Sequence, residues 1–305
     1  MIIYADNKRS LKDIRIMDVR ENYNYLNENL WQSGEDGIEY MISSKTETAF
    51  SDDTEENLMS LEDDSWWFRY RAEVITGFMK EYMDKNKVTV DIGGGNAYTS
   101  SVAGKKGFRT AVIEPAPAAC KNAKKRNIDE VCCGAVTDES VKDSSIEQAL
   151  LLDVLEHIED DKGFLKLLRK KMKKGGILIM TVPAFNALWS SEDDAAGHFR
   201  RYRSNWLCYL LGRNGFKILY RNYFMSFLFL PILFIRVGME KIGLLKKQDD
   251  RTEEERKDIA ESQFKTENPI TKMGLKFFED IDRRMLKKSG FVPFGSSIIV
   301  VARRK

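Results

Sequence analysis

Residues 87–100 read KVTVDIGGGNAYTS, an alternating β-branched run that ends in three glycines and passes into a helix-permissive stretch. Gly93 and Gly95 allow a sharp turn and a close approach of backbone to ligand, because no Cβ stands in the way. Asp91 sits where the strand ends. A carboxylate there accepts hydrogen bonds from an ammonium group and repels a pyrophosphate, so the turn suits a zwitterionic amino-acid moiety. The dinucleotide fingerprint G-x-G-x-x-G also requires a small residue at position 98, where Tyr98 stands, which argues against a nicotinamide dehydrogenase.

Outward from this turn the same punctuation repeats. FRTAVIE from Phe108, IDEVCC from Ile128, EQALLLD from Glu147 and GGILIMTVP from Gly175 read as further strands separated by helical segments. GFKILYRNY from Gly215 gives a sixth strand and SSIIVVARR from Ser296 the last. The alternation predicts an α/β fold, Rossmann-like and doubly wound, with a mostly parallel seven-stranded sheet whose ligand lies at the carboxyl ends of the strands. Upstream, WWFRYRAEVITGFMKEYM (residues 66–83) carries apolar residues at helical spacing and should pack on that sheet. The expected division is an N-terminal, largely helical extension over 1–85, a core over 86–222 plus 291–305, and a helical insertion or lid over 223–290.

Bulk properties set limits. The chain has 305 residues, 43% hydrophobic and 31% charged, with a formal net charge of +2, so nucleic acid is not indicated. The four cysteines, Cys120, Cys132, Cys133 and Cys208, form no C-x-x-C pair, and the N-terminus lacks the basic-then-apolar order of a signal peptide. A cytoplasmic protein is expected.

The segment from Asp91 to Ala97 resembles the first motif of the class I S-adenosylmethionine-dependent methyltransferases, D/E-x-G-x-G-x-G, with Ala97 in place of the last glycine. Glu114, in VIEP with Pro115, ends the second strand of that core, where a carboxylate can accept both ribose hydroxyls. LLLDVLEHIEDD from Leu150 resembles the family's fourth-strand motif, placing Asp153 and Val154 beside the methionine end. The resemblance implies S-adenosyl-L-methionine as cofactor, and an adenine contact near Ala135, where an acid often stands in the family; Asp138 follows a little later.

TVPAFNALWSSEDDAAGHFRRYRSNWL, from Thr181, resembles one subgroup of that family that carries LWS, then Asp, then GH-x-RRY. WWFRYR and the terminal VPFGSS match the same subgroup, so the likeness covers most of the chain from about residue 65. By it, Arg71 is expected to pair with the cofactor carboxylate. His198 is a candidate general base, because imidazole titrates near neutrality, and Asp193 can orient it if the loop folds back. Arg201 and Tyr202 complete the candidate catalytic set. A second role stands beside this one: His198 and Arg201 can instead pin the loop to backbone carbonyls. If DVLEHI turns helically, Asp153, Glu156 and His157 share a face that can bind a divalent cation; a histidine packing the start of a helix is the plainer role, and no metal is assigned.

YFMSFLFLPILFIRV, from Tyr223 to Val237, is too short at about 15 residues, and carries Pro231, to be a spanning helix, which needs roughly 20. With Arg236, Lys241, Lys246 and Lys247 at its end it suits either a buried roof over the site or peripheral contact with the inner face of a membrane. The function that these readings support is methyl transfer to an oxygen or nitrogen of a small-molecule, sugar or lipid-linked glycan acceptor. The competing reading is a sensor or partner protein that binds the cofactor without catalysis; it has no need of an acceptor loop.

Overall fold

A computed structural model describes residues 24–42, 59, 61–244, 246, 252, 268–287 and 292–305. Most of the charged run KKQDDRTEEERKDIAESQ, much of the acidic stretch before Trp66 and the close of the last helix near Gly290 lie outside the described residues. The strands are β1 (Trp31–Ser33), β2 (Glu39–Met41), β3 (Val88–Ile92), β4 (Arg109–Glu114), β5 (Glu130–Cys133), β6 (Ile146–Leu152), β7 (Met172–Pro183), β8 (Phe216–Phe224) and β9 (Ser297–Arg304). They form one sheet in the order β1-β2-β5-β4-β3-β6-β7-β9-β8. From β2 to β7 all neighbours run parallel, while β9 is antiparallel to both β7 and β8. The order reverses at β3, between β4 and β6, and that is where an open α/β sheet forms a ligand crevice.

Among the described residues nine strands replace the seven expected. The two additional ones come from the segment read as a helical extension, where β1 and β2 form an antiparallel pair around Gly34 and Gly37. Gly37 takes a φ of +74°, which glycine adopts without penalty. Parallel pairing of Glu39 with Cys132 docks β2 on β5, and Ile38 fills a pocket of Cys120, Ala123, Ile128 and Val131. Trp31 is buried, and its indole N–H donates to the Ser140 carbonyl at 2.8 Å. Three-residue strands are too short to show a period of two, so propensity alone could not reveal them.

Helix α1 (Trp66–Tyr82) begins where the periodicity places it. The Ser65 hydroxyl caps it, accepting from the Trp67 and Phe68 amides at 3.2 and 3.3 Å. Its apolar face, Tyr70, Val74, Ile75, Phe78 and Met79, packs with Phe224, Ile299 and Val301 against one side of the sheet. Helices α2 (Tyr98–Lys105), α3 (Pro117–Lys125), α4 (Asp161–Lys171), the short α5 (Ser191–Ala195) and α6 (Ser204–Arg213) follow in the crossovers.

The insertion between β8 and β9 ends in α7 (Pro269–Lys287). This helix is mounted inside out. Glu279 and Asp282 are fully buried, whereas Ile270, Met273 and Phe277 are 75%, 70% and 62% exposed. The Asp282 carboxylate accepts from the Tyr70 hydroxyl (2.6 Å), the Met225 and Ser226 amides (2.9 and 3.1 Å) and the Ser226 hydroxyl (2.6 Å). Glu279 takes a bidentate pair from Arg69 at 2.9 and 3.3 Å. Charge anchors the middle of this helix to the body and Leu286 is buried near its end, while Ile270, Met273 and Phe277 face out. The apolar stretch expected as helix ends β8 and continues through short turns into a π-helical run, Ile232–Gly238. Among the described residues no helix is long and apolar enough to cross a membrane.

Candidate functional site

The glycine turn after β3 uses left-handed backbone at Gly93 (φ +69°) and Gly95 (φ +53°). A Cβ on Gly93 would stand 2.6 Å from a Val154 methyl, so the residue after Asp153 closes directly on the turn and only glycine fits. Ala97, where the family motif has its last glycine, is also left-handed (φ 60°) and fully buried. It therefore keeps the turn that glycine would make, at a steric cost of about 1–2 kcal/mol.

Asp91 is buried at the base of this turn. Its Oδ2 accepts from the Ser100 hydroxyl at 2.7 Å, while Oδ1 is buried without a hydrogen-bond partner among the described residues. Burial pushes its carboxyl up to about 6. Glu114, at the end of β4, accepts from the Gly95 amide through one oxygen and from the Ala116 amide through the other, both at 2.9 Å. Pro115 and Ala135 line the next turns: the Pro115 carbonyl faces the Cys133 thiol at 3.8 Å and the Ala135 carbonyl accepts from the Ser140 hydroxyl at 2.8 Å. Asp138 pairs with Lys170 at 2.6 Å.

Arg71, from α1, reaches across to Asp153, which follows β6 in left-handed backbone (φ 54°). The guanidinium also donates to the Thr181 hydroxyl at 2.9 Å and lies 4.5 Å over the Trp67 ring. The cation expected to face a cofactor carboxylate is thus engaged by Asp153 in the chain itself.

The acceptor loop is organised around Asp193. A capping box with Ser190 fixes this residue in α5, and the loop folds back so that His198 Nδ1 lies 2.8 Å from its Oδ1. Arg201 donates to both of its oxygens, at 2.7 and 3.0 Å, and to the Ala184 carbonyl at 3.3 Å. Burial opposes the charge on Asp193, but the bonds from His198 and Arg201 hold its carboxyl below the usual range. Orientation of the imidazole and pinning of the loop are therefore two halves of one cluster. Tyr202 belongs elsewhere. It is buried in the core, its phenol donating to Asp161 Oδ2 (3.1 Å) and lying 3.4 Å from the Leu155 carbonyl, and burial beside that acid pushes it well above the usual tyrosine range. That placement puts it beneath the loop, in the core.

The segment 155–157 makes one tight helical turn, and among the described residues Asp153 is not in the cluster of ligand atoms that holds Glu156 and His157. His198 takes that place: Glu156, His157 and His198 each offer one ligand atom, all within 4.8 Å of one another. The two imidazoles meet edge to face at 4.7 Å. Burial, with His198 adjacent, holds His157 down at about 4.

Sequence reasoning missed Ser100 and Thr181, hydroxyls without a local signature, and a buried set at the turn's outer side. There Asn96 donates to Glu62 (3.3 Å) and accepts from Asn122 (2.9 Å), and Arg126 holds Glu62 at 2.8 Å.

Comparison with known proteins places this architecture. A family model described as a methyltransferase domain matches residues 67–221, half of the chain. No curated protein matches the sequence. Among solved structures, the chain is similar to phosphoethanolamine N-methyltransferase 2 of Haemonchus contortus in complex with S-adenosyl-L-methionine (11% identity, 87% of this chain and 61% of that one, TM-score 0.52). It is similar also to a chain from the Haloferax volcanii complex of the Trm112 methyltransferase activator (14% identity, 83% and 95%, TM-score 0.51) and to the [4+2]-cyclase SpnF (15% identity, 83% and 93%, TM-score 0.50).

Proposed function

Because the chain belongs to the methyltransferase-domain family through residues 67–221, we propose that it transfers a methyl group to an oxygen or nitrogen of a small-molecule, sugar or lipid-linked acceptor. The cofactor is S-adenosyl-L-methionine, which supplies an electrophilic methyl group on a sulfonium sulfur. One observation carries this reading: Asp91 keeps a buried oxygen without a hydrogen-bond partner among the described residues, beneath a glycine turn whose Gly95 amide is held by Glu114. An ammonium group satisfies the first carboxylate and ribose hydroxyls the second.

The roles divide by position. Asp91, Gly93 and Gly95 receive the amino-acid end, with the Arg71–Asp153 pair and Val154 closing that side. Glu114 holds the ribose, and Pro115 and Ala135 border the adenine. Asp193 turns His198 so that Nδ1 is occupied and Nε2 is left to take the acceptor's proton. Arg201 steadies Asp193, and Tyr202 supports the loop from below. In-line transfer needs alignment and exclusion of water more than it needs new bonds to the protein. The described parts of the insertion, 223–244 and 268–287, serve as the lid, and the free cysteines suit a reducing cytoplasm.

The fold alone does not dictate methyl transfer, since a cyclase shares it. The reading of a binder without catalysis remains the alternative, and the Asp193–His198–Arg201 cluster argues against it. Isothermal titration of the protein with S-adenosylhomocysteine tests the cofactor claim: micromolar binding is expected, and an absence of heat from the folded protein would overturn it.

Peripheral contact with an anionic bilayer through 223–237, extended by α7, fits the outward Leu230, Phe234, Ile270 and Phe277 together with the exposed Lys272, Lys276, Arg284 and Lys287. Co-sedimentation with phosphatidylserine liposomes in low salt is expected, and recovery of all the protein in the supernatant would remove this role.

A further inference from the structure

Glu156 is the least compensated charge of the site. It has no exposure to solvent, and neither carboxylate oxygen has a hydrogen-bond partner among the described residues. Two guanidinium groups lie in the neighbourhood, but both are spent: Arg71 on Asp153 and Thr181, Arg201 on Asp193 and the Ala184 carbonyl. A buried carboxylate without a partner costs several kcal/mol unless it is protonated or meets a cation. Asp153 Oδ1, three residues earlier, is likewise buried without a partner.

The surroundings favour a cation. His157 and His198 bring imidazole nitrogens to within 4.8 Å of the Glu156 carboxylate. At His198 the Nδ1 position is already engaged by Asp193, which Arg201 clamps in turn. An imidazole whose second nitrogen is held by a carboxylate is the usual outer-shell arrangement of a metal-binding histidine: it fixes the ring and raises the basicity of the remaining nitrogen. Two imidazoles and a carboxylate, with open positions left over, suit a divalent transition ion such as manganese, iron or zinc.

We infer that Glu156, His157 and His198 form a divalent-cation site at the acceptor end of the cofactor crevice, with Asp193 as its outer-shell orienting group. The inference rests on the methyl-transfer reading and narrows its acceptor to one that offers an oxygen to a cation, such as a hydroxyl. The two tasks of the His198 Nε2 atom exclude each other. In the cation-free protein it takes the acceptor's proton; with the ion in place it is a ligand, and the acceptor hydroxyl, made acidic by the ion, releases its proton to water.

The test is a titration of the full chain with Mn2+, followed by loss of the free-ion electron paramagnetic resonance signal, with S-adenosylhomocysteine titrated in parallel. One Mn2+ per chain is expected. Affinity should fall at least tenfold in both Glu156→Gln and His157→Asn, and about 10–100-fold in Asp193→Asn, which touches no ion, while S-adenosylhomocysteine binding by Glu156→Gln stays within a factor of about three. Absence of Mn2+ binding below millimolar concentration in the wild-type protein would overturn the inference, as would unchanged binding in both ligand variants. Either result, with S-adenosylhomocysteine still bound, leaves the methyltransferase reading standing. Should Glu156→Gln fail to fold, His157→Asn with the wild-type titration decides.

Discussion

Asp91→Ala is expected to weaken S-adenosylhomocysteine binding by a hundredfold or more while leaving the fold as stable as before, or more so. The two effects have one cause. In the free protein Asp91 is buried with a single partner, the Ser100 hydroxyl, and Oδ1 has none among the described residues, so the carboxylate is a burden on the empty fold. Bound ligand turns that burden into a buried ion pair with an ammonium group, and truncating one partner of such a pair costs about 2–5 kcal/mol. The pH dependence separates this account from a simple packing defect. Because burial raises the Asp91 carboxyl to about 6, it holds a proton below that pH and offers no charge to the ligand. Affinity should therefore climb as pH rises through about 6, and Asp91→Asn should flatten the rise. The sign for stability is opposite: the unfolded chain ionises this group near 3.8, so its contribution to the empty fold is fully present below that pH and is lost as pH rises through about 6. Binding by Asp91→Ala within threefold of wild type would refute the assignment.

Asp282→Ala is expected to cost about 3–5 kcal/mol of stability. Its carboxylate takes four hydrogen bonds that tie α7 to Tyr70 of α1 and to the backbone leaving β8. Each donor left behind is buried or half-buried, and each loses a charge-assisted bond at about 1–3 kcal/mol. In urea the midpoint should fall with the slope unchanged, because the loss lies in the native contacts and not in the area exposed on unfolding. A loss below about 1 kcal/mol would show that α7 contributes little to the body of the protein. Asp282→Asn, which can keep some of these bonds, should fall between the two.

How much of this was legible depended on the length of each signal. The alternation of strand, turn and helix from Lys87 to Pro183 fixed the parallel core, because each strand there ends in, or is followed at once by, glycine, proline or an acid. The Gly93–Gly95 turn, Asp91 and Glu114 were readable because backbone shape and charge are written locally in that stretch. The hairpin at Trp31–Met41 was not: it joins the sheet only where β2 meets Cys132 and Cys133, far along the chain, and three residues carry no period. The Arg71–Asp153 pair joins α1 to the end of β6, a contact that spacing cannot supply. Tyr202 looked like an acceptor-side residue by its place in the RRY run, yet an isolated bridge between its backbone and Ala184 turns its ring into the core. Amphipathic spacing identified α7, but the usual assumption that the apolar stripe faces inward failed, because the buried acids Glu279 and Asp282 carry partners from other elements.

The hairpin at the sheet's edge has a consequence for synthesis. Glu39 leaves the ribosome long before Cys132, the residue it must lie beside. At about 5–20 residues per second, the first segment waits on the order of ten seconds for its neighbour, with Trp31 and Ile38 lacking their burial. During that interval an early, partly apolar stretch is available to chaperones or to neighbouring nascent chains. Completion of β5 ends the wait, before β6 to β9 have been made.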